Sequence, residues 1–108
     1  MTYMTEVTLQ PAPVKLEDGR AEYMGGGLFV VLQKDQTVRR HKWQNVVVSR
    51  SDLATLKAIP AHTVPFDDGT AEYVGDGYWR LLQMDHLAQR MHNVVLSGQD
   101  VEALLKAA

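Results

Sequence analysis

Ten residues recur fifty positions apart. Asp18-Gly19-Arg20-Ala21-Glu22-Tyr23-Met24-Gly25-Gly26-Gly27 returns as Asp68-Gly69-Thr70-Ala71-Glu72-Tyr73-Val74-Gly75-Asp76-Gly77. Val14–Asp35 and Val64–Asp85 are identical at 11 of 22 positions, and Asn45–Ala58 and Asn93–Lys106 at 6 of 14. Between these blocks the second copy is two residues shorter. This duplication restricts what the chain can become. A copy of about 45 residues cannot bury an adequate core alone without a disulfide or a metal. The sequence has no cysteine, so the two copies are expected to share one core. The expectation is a single compact domain over residues 1–108, with repeat one at about 14–58, a linker at 59–63 and repeat two at about 64–106.

Each copy reads as strands followed by a helix. Thr5–Gln10, ahead of the repeats, alternates as a short edge strand before Pro11 and Pro13. Val14–Glu17 is a strand, and Asp18-Gly19 supplies a two-residue turn with positive φ. Arg20–Met24 returns, and Gly25-Gly26-Gly27 turns again into Leu28–Gln33, a segment apolar on both faces like a doubly covered strand. The two-residue deletion preserves strand alternation, where a deletion of one would invert every later side chain. It points to a hairpin near Asp35-Gln36 and Asp85-His86, with the longer arm in repeat one.

Asn45–Val48 and Asn93–Leu96 are strands ending at Ser49 and Ser97, each a good N-cap with an aspartate three residues on, Asp52 and Asp100. Leu53 and Leu56, and Val101, Leu104 and Leu105, fall at helical spacing. Helices this short need a sheet to dock on. Pro60 bars continuation of the first. The expected class is α+β: a tandem duplication of a βββ(β)α unit forming one pseudo-twofold antiparallel domain, with two short helices packed on the sheet. One shared sheet and two packed sheets both satisfy the pattern.

No apolar run approaches the length needed to cross a membrane, and the opening residues lack the basic and apolar regions of a secretory signal, so a cytoplasmic protein is expected. Without cysteine there is no thiolate zinc site and no thiol nucleophile. The net charge of −2 argues against the whole molecule as a polyanion binder, but the halves differ. Residues 1–60 carry 8 basic and 6 acidic side chains, and residues 61–108 carry 3 and 7.

The polar residues kept in both copies, Glu22/Glu72, Gln33/Gln83, Asp35/Asp85 and Asn45/Asn93, suggest roles that both halves need, and these are structural. Asp35 and Asp85 suit turns, and Asn45 and Asn93 a bend at strand entry. The glycine turns join two strands, whereas phosphate loops lead into a helix. His41, His62, His86 and His92 form no metal-binding spacing and do not recur between copies. No serine elbow is present. No catalytic residue, metal or cofactor is expected.

The functionally suggestive segment is Lys34 with Arg39, Arg40, Lys42 and Trp43, in a stretch with five basic residues and one acid from Gln33 to Arg50. Arginine and tryptophan are typical anchors of protein interfaces. The same set could hold nucleic acid, with cations on phosphate and Trp43 stacked on a base. A solvated arm with Trp43 tucked into the core is the plain alternative. The first expectation is a non-enzymatic binding or regulatory module for a protein partner, through this arm and the exposed sheet of repeat one, and the second is a nucleic-acid-binding module. A third is a small-ligand binder or enzyme with a cleft between the repeats, lined by Glu22, Tyr23, Glu72 and Tyr73. Opposite the arm stands an acidic strip of Asp67, Asp68, Glu72 and Asp76, a charge asymmetry that also suggests self-association.

Overall fold

A computed structural model describes residues 12–34, 43–58, 63–66 and 68–107. In the first half, β1 (Val14–Lys15), β2 (Arg20–Gly25), β3 (Leu28–Lys34) and β4 (Trp43–Ser49) lead into α1 (Arg50–Ala58). In the second, β5 (Thr63–Phe66), β6 (Gly69–Gly75), β7 (Tyr78–Asp85) and β8 (Arg90–Ser97) lead into α2 (Gly98–Ala107). The strands form two separate four-stranded antiparallel sheets in sequence order, so the choice between one sheet and two falls to two.

Register follows the repeat. Lys34 opposes Trp43 and Gln33 opposes Gln44 in the first sheet; Met84 opposes Met91 and Gln83 opposes His92 in the second. The two-residue difference between the connections therefore leaves the faces unchanged. Residues 86–89 turn the second hairpin, where Asp85 Oδ1 accepts the N–H groups of Leu87 and Ala88 at 3.1 and 3.0 Å. Asp35, like the Thr5–Gln10 segment and His41 and His62, lies outside the described residues. The β2–β3 and β6–β7 hairpins close on Gly26-Gly27 and Asp76-Gly77, all at positive φ, whose twist matches the flanking strands.

Three expectations need correction. The first turns are not alike: Gly19 takes positive φ in the first half, whereas Asp68 does in the second. The reason is length, since β5 pairs as far as Phe66 with Gly69 but β1 stops at Lys15 with Arg20. Asn45 and Asn93 lie inside β4 and β8, opposite Leu32 and Leu82, and mark no bend. Among the described residues β3 is covered on one face only: Phe29, Val31 and Gln33 are buried, while Leu28 and Lys34 are exposed.

Alternation sends Ala21, Phe29, Val31, Val46 and Val48 inward from the first sheet and Ala71, Trp79, Leu81, Val94 and Leu96 from the second, into one core. Leu53, Leu56, Val101 and Leu104 of the helices complete it. Tyr23 packs against Phe29 and Tyr73 against Trp79, with ring centroids 5.2 and 5.3 Å apart. Each tyrosine hydroxyl also accepts the N–H of its hairpin glycine, Gly27 or Gly77. The helices start as the serines dictate. Ser49 Oγ accepts the Asp52 N–H while the Asp52 carboxylate accepts the Ser49 N–H, and Ser97 and Asp100 repeat this reciprocal cap.

Asp100 does more than its counterpart. Its second oxygen accepts the Glu17 N–H at 3.0 Å, tying the turn after β1 to α2 across the halves. Asp100→Ala is expected to lower unfolding free energy by about 2 kcal/mol, against about 1 kcal/mol for Asp52→Ala, whose described bond is the cap alone. Urea denaturation of the two variants measures the difference.

Among the described residues no backbone ladder crosses between the sheets; side chains make the junction. β4 and β8 end their sheets, and each would leave a row of backbone groups unpaired. Gln33 fills part of that need on β8: its amide donates to the Val95 carbonyl at 2.6 Å and its Oε1 accepts the Val95 N–H at 2.8 Å. Gln83 does the same for Val47 of β4, at 2.8 Å in each direction. Next to them, Gln44 Oε1 accepts the Asn93 N–H and His92 Nδ1 accepts the Asn45 N–H. The glutamines kept in both copies thus plug the opposite sheet's edge.

Candidate functional site: the outer face of the first sheet

The parity that buries Phe29 and Val31 leaves Leu28, Val30, Leu32 and Lys34 on the opposite face of β3. Strand pairing sets Arg20 and Glu22 on one side of this column and Trp43, Asn45 and Val47 on the other. The middle of the outer face is therefore apolar although no protein layer covers it among the described residues. Met24, at the bulge of β2, is 59% exposed at one end, and Trp43 is 48% exposed at the other. The plain expectation of a Trp43 tucked into the core is overturned: it shares the parity of Lys34, and both point outward.

Trp43 is not left loose. The Arg20 guanidinium lies 5.8 Å from its ring centroid, and Glu22 holds Arg20 through an ion pair of 2.9 Å. A cation over an exposed indole contributes about 0.5–1 kcal/mol. It also costs little entropy to present a side chain already fixed in place. Lys34, opposite Trp43, makes no ion pair with a described residue. Arg39, Arg40 and Lys42 lie outside the described residues. The sequence reading missed Arg20 as part of the site, along with the apolar column. The signal was available, since Leu28, Val30 and Leu32 sit at the parity that cannot be core once Phe29 and Val31 are.

The four residues expected to line a cleft between the copies are not brought together. Glu22 and Glu72 face outward from different sheets and pair with Arg20 and Arg80. Tyr23 and Tyr73, one residue on, face inward. A cavity of about 270 Å³ does open between α1, α2 and the β6–β7 hairpin, walled by Leu56, Lys57, Trp79, Val101 and Glu102, but only Tyr73 of the four lines it.

No family model, curated protein or solved structure matches the chain. Its chemistry must be read from its own residues.

Two histidines, His86 and His92, are among the described residues. His92 is buried with Nδ1 accepting the Asn45 N–H, so the ring hydrogen sits on Nε2 and is donated to Asp85 Oδ2 at 2.9 Å. Both nitrogens are occupied by the fold. His86 is exposed and pairs with Asp68 at 3.4 Å. Among the described residues no group of three or more His, Asp or Glu is placed to hold a metal ion. No described helix is long and apolar enough to cross a membrane.

Asp85 is a structural acid. The Ala88 N–H first, and the His92 hydrogen bond next, hold its carboxyl below the ordinary value of 3.8. A depressed carboxyl contributes stability above its unfolded pKa and loses it as pH falls through the folded one. Stability is therefore expected to drop with pH below about 4, and Asp85→Asn to flatten part of that drop. Denaturation midpoints measured across that acid range, for both proteins, check it.

Proposed function

We propose that this chain is a non-enzymatic binding module that recognises a protein partner through the outer face of the first sheet and the basic segment beside it. We infer with it that the halves are a tandem duplication packed about a pseudo-twofold axis, in which the first half has specialised for binding. The observation that carries the reading is Trp43, half exposed and fixed by Arg20 at the edge of an apolar column. Contacts of this kind, an aromatic anchor with arginine around it, dominate protein interfaces. Lys34, Arg39, Arg40 and Lys42 supply cations for the acidic rim of a partner.

The test is quantitative capture from the source cells with the wild-type chain and Trp43→Ala side by side. Truncating an anchor of about 2 kcal/mol lowers affinity by roughly 30-fold, so a genuine partner is strongly depleted by the variant. A set of captured proteins identical for the two baits would sink the reading. Fluorescence anisotropy with labelled single- and double-stranded oligonucleotides addresses nucleic acid. Binding that falls log-linearly with salt, with a slope of about −2 to −3, and is lost in Arg39→Glu/Arg40→Glu/Lys42→Glu would replace the protein reading with a nucleic-acid one.

A further inference from the structure

Among the described residues, every large apolar side chain that is exposed, Leu87 excepted, lies on the outer face of one sheet or the other. Met24, Leu28 and Trp43 stand on the first face; Met84, Met91 and Val95 stand on the second. The sheets share one core through their inner faces, which leaves both of these surfaces outside it. Exposed apolar surface marks association sites; on the second face Met84 and Met91 stand opposite each other at one end, and Val95 stands apart from them beside the Arg80–Glu72 ion pair.

The two faces are not copies in charge. Next to Trp43 stands Lys34, without an ion pair to any described residue. On the second half, Asp68 and Asp76 flank the outer face at either end of β6, and Asp76 likewise makes no ion pair with a described residue. The sequence carries the same bias, net +2 over residues 1–60 and net −4 over residues 61–108. Each face holds one arginine–glutamate pair, Arg20–Glu22 on the first and Arg80–Glu72 on the second, so the difference in sign rests on Lys34 at the first against Asp68 and Asp76 at the second.

We propose that these faces are complementary halves of one interface, so that the first sheet of one copy docks on the second sheet of another. This names the partner of the surface described above and rests on that reading. The interface is heterologous, because neither face meets its own kind, so assembly proceeds head to tail and does not stop at a twofold dimer. The strands of each face, two to eight residues long, project roughly 400 Å² in all, so two such faces bury on the order of 800 Å². That is the size of a weak contact that forms at high local concentration.

Sedimentation velocity of the full chain from micromolar to millimolar concentration tests the proposal, with Trp43→Glu to disable the first face and Met84→Glu the second. Circular dichroism verifies the fold of each; Leu28→Lys and Val95→Lys serve if either is unfolded. The wild-type mass is expected to rise past that of a dimer with concentration, and less steeply at high salt. Each variant alone is expected to stay monomeric. An equimolar mixture of the two should form a dimer and go no further, since only one intact pair of faces remains. A wild-type chain that stays monomeric throughout overturns the proposal, as does either variant dimerising alone. If the chain is monomeric yet still captures a protein through Trp43, this inference fails while the binding reading stands.

Discussion

Replacing Gln33 and Gln83 together with alanine is expected to remove about 4–6 kcal/mol of stability, enough to unfold a small domain of ordinary stability. Each glutamine makes two hydrogen bonds to a strand edge, and its loss strands a backbone donor and acceptor at the junction. Leaving such groups without partners costs about 1–3 kcal/mol per site, beyond the bonds themselves. The single variants should not be equal. Gln33 is 4% exposed, whereas Gln83 is only partly buried, so water can replace more of what Gln83 provides. Gln33→Leu separates the causes. If filled volume is what matters, leucine restores most of the loss; if backbone satisfaction matters, leucine fares no better than alanine. Urea unfolding monitored by tryptophan fluorescence gives the comparison, and full rescue by leucine would contradict the role assigned to the amide.

Gly69→Ala is expected to cost about 3 kcal/mol, from a single methyl group. A Cβ at Gly69 would fall inside van der Waals contact of the Leu82 carbonyl oxygen and meet the backbone at Gln83 as well. Backbone cannot rotate aside, so β7 must shift, and with it the Gln83 side chain that closes the other sheet's edge. Gly69 has no positive φ, so the expected effect is steric rather than conformational. A control follows from that. Gly77→Ala has positive φ and an open surrounding, so its penalty is the strain of the turn alone, about 1–2 kcal/mol. Equal midpoints for the two variants would show that close approach is not what holds Gly69.

The strands, the helix caps and the constancy of register could be read from the chain because each depends on neighbours in sequence. Ser49 and Asp52 are three residues apart and find each other in any helix that begins there. The expectation that repeated polar residues are structural was sound in kind for Gln33 and Gln83, but their partners were not legible. Val95 and Val47 lie 62 and 36 residues away, and nothing local marks which backbone a glutamine will reach. The error at β3 had a different origin. A run of apolar residues on both parities signals burial on both sides, yet Leu28, Val30 and Leu32 lie on a face that no described element covers. Trp43 was singled out for its neighbours in sequence, and the residue that holds it, Arg20, comes from a strand that only pairing brings near.

The plugged edges bear on how such a molecule behaves in a crowded solution. A sheet with a half-apolar surface is ordinarily exposed to two kinds of stickiness, stacking and strand addition, and the second is the one that leads to fibrils. Here β4 and β8 offer part of their free backbone to glutamine, β1 is only two residues long, and β5 carries Pro65. Among the described residues, neither flank of either sheet presents a long open template for a foreign strand. The association proposed for the outer faces would therefore stay apart from the cross-β route, which makes contact between sheets permanent.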